Sequence, residues 1–261
     1  NEVRLNHTDG AVARYIPALA SVPPDQLGVA VSSIGGGLLE SGDSRVGFSI
    51  QSISKLFALT LALKTVGDDL WTHVDRQPSS NPFNSLIELE LLGGRPRNPF
   101  INAGALAVSD VLCSRYIQME MVLRHLIRSL SGNNRVDYDM NVAESEKACA
   151  HRNRAAAYLM KSFENLANPV EDVIDAYCKQ CALSASCVDM AQAALFLAND
   201  GTCPLTGNVI LTPLQNRQVM ALMMICGTYE SAGEIAFKVG LPIKTGVGGG
   251  VLAVVPGFGT V

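Results

Sequence analysis

The chain is short of charge, of histidine and of long apolar runs, and each shortage closes off a class of function. Charged residues make up 17% of its 261 positions and sum to a net charge of −4, with acids and bases interspersed. A nucleic-acid partner asks for a basic stripe, and none is present. No stretch reaches the roughly 18 apolar residues of a membrane span, and no N-terminal segment has a secretory-signal pattern. His7, His73, His125 and His151 match no metal spacing, so neither a metal nor a cofactor is expected. Repeats, low-complexity tracts and linkers are also missing. These absences predict a cytoplasmic protein without nucleic-acid or membrane partners.

The seven cysteines are odd in number and show no disulfide framework. Cys178 and Cys181 form a C-x-x-C, but no second metal pair accompanies it. Its setting, "VIDAYCKQCAL", has helical spacing, so both read as buried free thiols.

What the chain does have is apolar content. Hydrophobic residues reach 48%, enough for a sizeable core in one large domain or two intimate ones. Near the start, "LGVAVSSIGGGLLESGDSRVGFSI" reads as strands broken by a glycine turn. From about Ser52 to about Tyr229, segments such as "INAGALAVSDVLCSRY" and "CVDMAQAALFLAND" repeat apolar residues at helical spacing. "AFKVGLPIKTGVGGGVLAVVPG" then returns to β-branched residues and glycines. The expected class is α/β in the α+β sense: an antiparallel sheet built from both chain ends, with a large helical insertion. Residues 1–51 with 230–261 make a sheet-containing subdomain, 52–229 a mostly helical one, and the active site lies between them. A sheet ending at Val261 would have an unfinished edge, so the native chain is expected to continue.

The motif that carries chemistry is in "FSIQSISKLF", where Ser52 precedes Lys55 by three residues at a strand–helix junction. With 20 serines and 7 lysines, Ser-x-x-Lys arises by chance roughly 0.5 times in such a chain, so alone it says nothing. "KTG" at Lys244, Thr245 and Gly246, on a late strand, is far rarer and completes a known pairing. Lys55 can reach the Ser52 hydroxyl from the same helix face. Ser52 near a helix N-terminus has a backbone N–H for a developing oxyanion. The glycine-rich "TGVGGG" can bring up a second N–H. It lacks the P-loop ending and the G-x-G-x-x-G spacing, so nucleotide binding is rejected. No Ser-Asp-Asn is present, which argues against a penicillin-type enzyme.

"DGAVARYIPALA", "FSIQSISK", "NPFNS", "PRNPFINAGA", "SEKACAHRNRAAAYLMKSF", "LPIKTGVGGG" and "LAVVPG" closely resemble the serine-dependent glutaminases, from about Asp9 to Gly257. The resemblance implies a β-lactamase/DD-peptidase-like fold without metal, and hydrolysis of L-glutamine to L-glutamate and ammonia. It implies Ser52 as nucleophile, Lys55 as its partner, Tyr229 as a catalytic tyrosine and the Val247 N–H as part of the oxyanion hole. Tyr15, Asn102, Glu146, Asn153 and Tyr177 are implied to bind substrate, Glu146 and Asn153 reading its amino-acid end. Most relatives have serine where this chain has Thr245, which keeps the hydroxyl. A homodimer or homotetramer is implied as well.

The residues themselves support these roles unevenly. Glutamine offers an ammonium that a single acid can pair, and amide or phenol donors suit its carboxylate. Glu146 and Asn153 are seven apart, two turns of one helix, so both can face one cleft. Without the resemblance Glu146 reads as a solvated surface acid, Asn102 as a helix cap, and Tyr15, Tyr177 and Tyr229 as semi-buried packing residues. Lys244 reads as structural or electrostatic support. Two rivals stay open: a penicillin-recognising acyltransferase and a non-catalytic glutamine-binding sensor.

Overall fold

The computed structural model describes residues 10–79 and 85–261. His7, Asp9 and residues 81–84 of the "NPFNS" segment lie outside the described residues.

A short 3₁₀ turn, Pro17–Ser21, precedes β1 (Gly28–Ser33) and β2 (Leu38–Gly42). These two form an antiparallel hairpin with Val31 opposite Leu39. Its glycine turn needs Gly36, whose φ of +87° an L side chain rarely adopts. The small inward residue Ala30 lets a helix approach closely, and Val188 and Ala191 pack on it. β3 (Phe48–Ser49) leads through a 3₁₀ turn, Gln51–Ile53, into α1 (Ser54–Val66). Every residue of α1 from Ser54 to Leu63 is buried. A helix apolar on all sides belongs inside a protein, and α1 is the central helix here.

Helices α2 (Ile87–Leu91), α3 (Asn102–Cys113) and α4 (Met119–Ser131) follow, then β4 (Asp137–Tyr138). Next come α5 (Met140–Cys149), α6 (His151–Ser162), α7 (Val170–Cys181) and β5 (Leu183–Ala185). The chain continues through α8 (Cys187–Ala193), α9 (Leu195–Ala198), α10 (Pro213–Cys226) and α11 (Ala232–Lys238). It closes with β6 (Ile243–Thr245), β7 (Val251–Val255) and β8 (Gly259–Thr260). Among the described residues no helix is long and apolar enough to cross a membrane.

The larger sheet runs β2-β1-β8-β7-β6, all antiparallel, and so joins the two ends of the described chain. Its closing strand is not an edge. β8 is an inner strand between β1 and β7, and the edges are β2 and β6. Two details depart from the sequence reading. β3 leaves this sheet and pairs with β5 and β4 in a small second one. Strands of two or three residues are too short to show a period of two. "AFK", read with the closing strands, forms the end of α11 instead.

The main buried cluster runs without a break from Leu252 and Val254 of the sheet, through Ile50, Ile53 and Phe57, to Phe100, Leu123 and Ile127 of the helical region. A second cluster packs α3 against α6 and α7. Both converge on the N-terminal ends of α1 and α3. At α3 the approach is backbone on helix: a Cβ on Gly104 would overlap the Asn98 carbonyl.

Candidate active site

Ser52 sits in the middle of the 3₁₀ turn that feeds α1. A 3₁₀ turn has about three residues per turn, so Ser52 and Lys55 fall on one side of the chain. The preceding residue, Gln51, is held at φ +46°, and Tyr229 at +55°. Such conformations cost a non-glycine residue of order 1–3 kcal/mol and concentrate at functional sites. The β6–β7 turn packs directly on this segment. A Cβ on Gly246 would stand 2.7 Å from the Ile50 carbonyl and 3.2 Å from the Ser52 nitrogen, and one on Gly248 would overlap the Ser49 carbonyl. Only glycine lets the Val247 backbone come this close to Ser52. The Val247 side chain meanwhile packs with Ile16 and Leu19.

Lys55 is buried to 1% exposure. Its Nζ donates to the Phe100 carbonyl at 3.0 Å and to Asn102 Oδ1 at 2.7 Å. Burial pulls its pKa down to about 8, against a partial pull upward from nearby groups including Glu146.

Asn102 is the first residue of α3, not its cap; Ile101 holds the cap position. Asn98 Oδ1 accepts from the Phe100 and Ile101 N–H groups just before the helix and so shapes its entry. This leaves the Asn102 amide to the site. Its Oδ1 accepts from Lys55 and, at 3.5 Å, from the Tyr177 phenol, while its Nδ2 donates to Asn153 Oδ1 at 3.0 Å.

Glu146 and Asn153 are not two turns apart on one helix. α5 ends at Cys149, Ala150 takes ψ +33°, and α6 begins at His151. The break turns the chain, and both side chains still reach the site. Asn153 bonds Asn102, and Glu146 Oε2 accepts from Gln51 Nε2 at 3.3 Å. Glu146 is buried, unlike the surface acid that "ESEK" suggests. Burial raises its pKa to about 7, with Gln51 and then Lys55 pulling the other way.

Tyr177 is buried, its ring 6.0 Å from Lys55 Nζ. The Tyr229 ring centre lies 5.7 Å from the same nitrogen, with Ser52 close enough to act on its phenol. Burial holds the Tyr229 phenol above the ordinary range. Lys244 Nζ donates to the Tyr229 hydroxyl at 3.2 Å and to the Gly227 and Thr245 carbonyls. Fully buried, and with Lys55 nearby, Lys244 is pushed well below the usual lysine range. Tyr15 stands at the rim, 58% exposed, and the Glu146 carboxylate acts on its phenol.

All nine sequence-expected residues therefore gather in one region around Ser52 and the buried Lys55. Gln51 and Cys181 join them without having been singled out for the site. Gln51 stands next to the nucleophile, and Cys181 one turn after Tyr177, but no pattern set either apart. Among the described residues no group of three or more His, Cys, Asp or Glu is placed to hold a metal ion.

Fold and site together define a serine acyl-transfer class on a β-lactamase-like scaffold, with a hydroxyl, a buried amine and a phenol grouped at one place. The glutaminase family profile matches residues 10–261, and the chain belongs to that family. A glutaminase of Paraburkholderia phytofirmans is 54% identical over 248 residues, covering 95% of this chain and 82% of the relative. The solved structure of the probable glutaminase YbaS superposes with a TM-score of 0.91 at 37% identity, over 96% of this chain and 82% of that one. A probable glutaminase from Bacillus subtilis, complexed with 6-diazo-5-oxo-L-norleucine, gives 0.88 at 33% identity, over 99% and 83%.

Proposed function

We infer that the protein is a glutaminase, an amidohydrolase that converts L-glutamine to L-glutamate and ammonia, and that it works through an acyl-enzyme on Ser52. The observation that carries the mechanism is the hydrogen bonding of Lys55. A neutral amine has two N–H groups and one lone pair. Phe100 and Asn102 take the two N–H groups, which leaves the lone pair for the Ser52 hydroxyl. A pKa near 8 lets a useful fraction of Lys55 be neutral at working pH.

The Ser52 oxygen attacks the γ-carboxamide carbon and its proton passes to Lys55. The oxyanion is held by the Ser52 and Val247 N–H groups. Amide cleavage cannot expel NH₂⁻, so the nitrogen is protonated as the C–N bond breaks. Tyr229, beside Ser52 and backed by Lys244, relays that proton. Ammonia leaves, water attacks the glutamyl ester with Lys55 as base, and glutamate departs.

Glu146 pairs with the substrate ammonium, while Asn102, Asn153, Tyr177 and Tyr15 bind the rest of the amino-acid end and wall the pocket. The ligand of the Bacillus subtilis relative has an α-amino-acid end and a carbonyl at its fifth carbon, as glutamine does. That likeness supports the same length of substrate here. The cleft lies between the sheet subdomain, 1–51 with 230–261, and the helical subdomain, 52–229. The former supplies Lys244 and Val247, the latter Ser52, Asn102 and Glu146. A homodimer or homotetramer, as the family resemblance implies, working in the cytoplasm, completes the reading.

The test is ammonia release from L-glutamine by the wild type and by Ser52→Ala. The wild type turns over, and the variant folds with its stability changed by no more than about 1 kcal/mol but is inactive. Activity of Ser52→Ala within tenfold of wild type would remove Ser52 as nucleophile. Glutamine binding without turnover by the wild type would make the protein a sensor.

A further inference from the structure

We propose that Arg154 is a positioning residue for substrate recognition: from outside the pocket it pins the α5–α6 break that brings Glu146 and Asn153 to the site. The proposal rests on the assignment of Glu146 to the substrate ammonium. The guanidinium makes three hydrogen bonds. Nε and Nη2 donate to the two carboxylate oxygens of Glu171 at 2.8 and 3.1 Å, and Nη1 donates to the Lys147 carbonyl at 2.8 Å. Glu171 lies in the first turn of α7, Lys147 in the last turn of α5, and Arg154 near the start of α6. One side chain thus joins the three helices that carry Glu146, Asn153 and Tyr177.

The bonds fall where the backbone needs them. The last four carbonyls of a helix have no partner within it, and α5 ends two residues after Lys147. The Ala150 N–H reaches the Lys147 carbonyl at 3.4 Å, so the Arg154 bond is the shorter of the two at this helix end. The residue before Arg154 is the buried Asn153, bonded to Asn102, and the residue before Lys147 is the buried Glu146, bonded to Gln51. Each residue aimed at the site is therefore followed by one anchored outside it. Lys147 also donates to Asp175 at 2.6 Å, two residues before Tyr177, which fastens α5 to α7 a second time. An isolated surface ion pair contributes little, and a solvated charge at position 154 would do nothing for the site. Arg154 is different: its planar fork is filled by a carboxylate on one edge and by a helix-end carbonyl on the other, which fixes the relative placement of all three helices.

Methionine keeps much of the side chain's length and loses all three bonds. In Arg154→Met, KM for glutamine rises about tenfold while kcat changes by less than about threefold, the pattern of lost ground-state binding. Preference for glutamine over 4-carbamoylbutanoate, which lacks the α-amino group, falls by a similar factor, because the displaced Glu146 carboxylate serves only the ammonium. Glu171→Gln, at an exposed position, moves both quantities the same way by less, and adds little to Arg154→Met in the double variant. It carries the test by itself should Arg154→Met fail to fold. Wild-type KM and preference in the folded variants would overturn the proposal, and so would an equal loss with the two substrates, which a merely structural role predicts. Glu146→Gln is measured beside them. If it leaves the preference unchanged, the assignment of Glu146 falls and this inference with it. If it collapses the preference while Arg154→Met does not, only this inference falls.

Discussion

Lys55 and Glu146 are both shifted toward neutrality by burial, in opposite directions along the pH scale, and that sets how activity responds to pH. Glu146, at about 7, must lose its proton to pair with the ammonium, and Lys55, at about 8, must lose its own to act as base. The acidic side of kcat/KM therefore rises through two ionisations, with a logarithmic slope approaching two below both. In Glu146→Gln the lower ionisation disappears and the slope drops to one; a slope still near two assigns it to another group. Lys55→Arg is nearly as damaging as Lys55→Ala, because a guanidinium keeps its proton at working pH. Substantial turnover by Lys55→Arg would refute the base. Tyr229→Phe separates leaving-group protonation from activation of Ser52. Acylation by glutamine in a single turnover slows by about 10²- to 10⁴-fold. Acylation by a γ-glutamyl ester with a phenolate leaving group, which needs little protonation, slows much less. Equal slowing of the two would place Tyr229 on the Ser52–Lys55 pair instead.

The β6–β7 turn and the 3₁₀ turn before α1 act as one element, since neither has its geometry without the other. Gly246, Gly248 and Gly250 all lie where a side chain would meet residues 48–53. Gly248→Ala puts a methyl group onto the Ser49 carbonyl, so the turn must lift away from Ser52. Oxyanion stabilisation depends on donor placement within a few tenths of an ångström, and losing one donor costs about 10²- to 10³-fold in kcat. The expected outcome is a folded protein with kcat lowered by about that factor and KM little changed. A kcat within threefold of wild type would mean that the turn supplies no donor. The break between α5 and α6 is the other element that the site depends on. It, and not a continuous helix, brings Glu146 and Asn153 to the same side.

For the whole molecule, the site is a burden on stability. Lys55 has a folded pKa of about 8 against an ordinary 10.5. Below pH 8 it is protonated folded and unfolded, and the folded state carries a buried charge at a cost of up to about 3 kcal/mol. As pH rises from 8 to 10.5 the folded protein releases this proton first, and the penalty fades. Lys55→Met removes the charge, and its loss of two hydrogen bonds offsets only part of the gain. The variant is expected to be inactive yet to melt above the wild type between pH 6 and 8, the difference narrowing toward pH 10.5. A lower Tm at neutral pH would mean that the Phe100 and Asn102 bonds outweigh the buried charge. The continuous core from Leu252 to Ile127 is what holds such a site shut against water.

Residue order alone determined the strand-end and helix-middle plan, because both periodicities are local, and it singled out Ser52, Lys55 and "KTG". The family resemblance added Tyr15, Asn102, Glu146, Asn153, Tyr177, Tyr229 and Val247. Other features needed the folded chain. The small β3-β5-β4 sheet joins residues 48–49 to 137–138 through 183–185, too short and too distant in sequence to show a pattern. Burial of Glu146 comes from its packing beside Gln51, not from the charged stretch around it. Lys244 meets Tyr229, and Gln51 meets Glu146, across separate elements. Spacing along a chain describes which side chains share a face. Which faces meet, and how much water remains between them, is decided only when the core closes, and the proton affinities of Lys55, Glu146 and Lys244 follow from that closure.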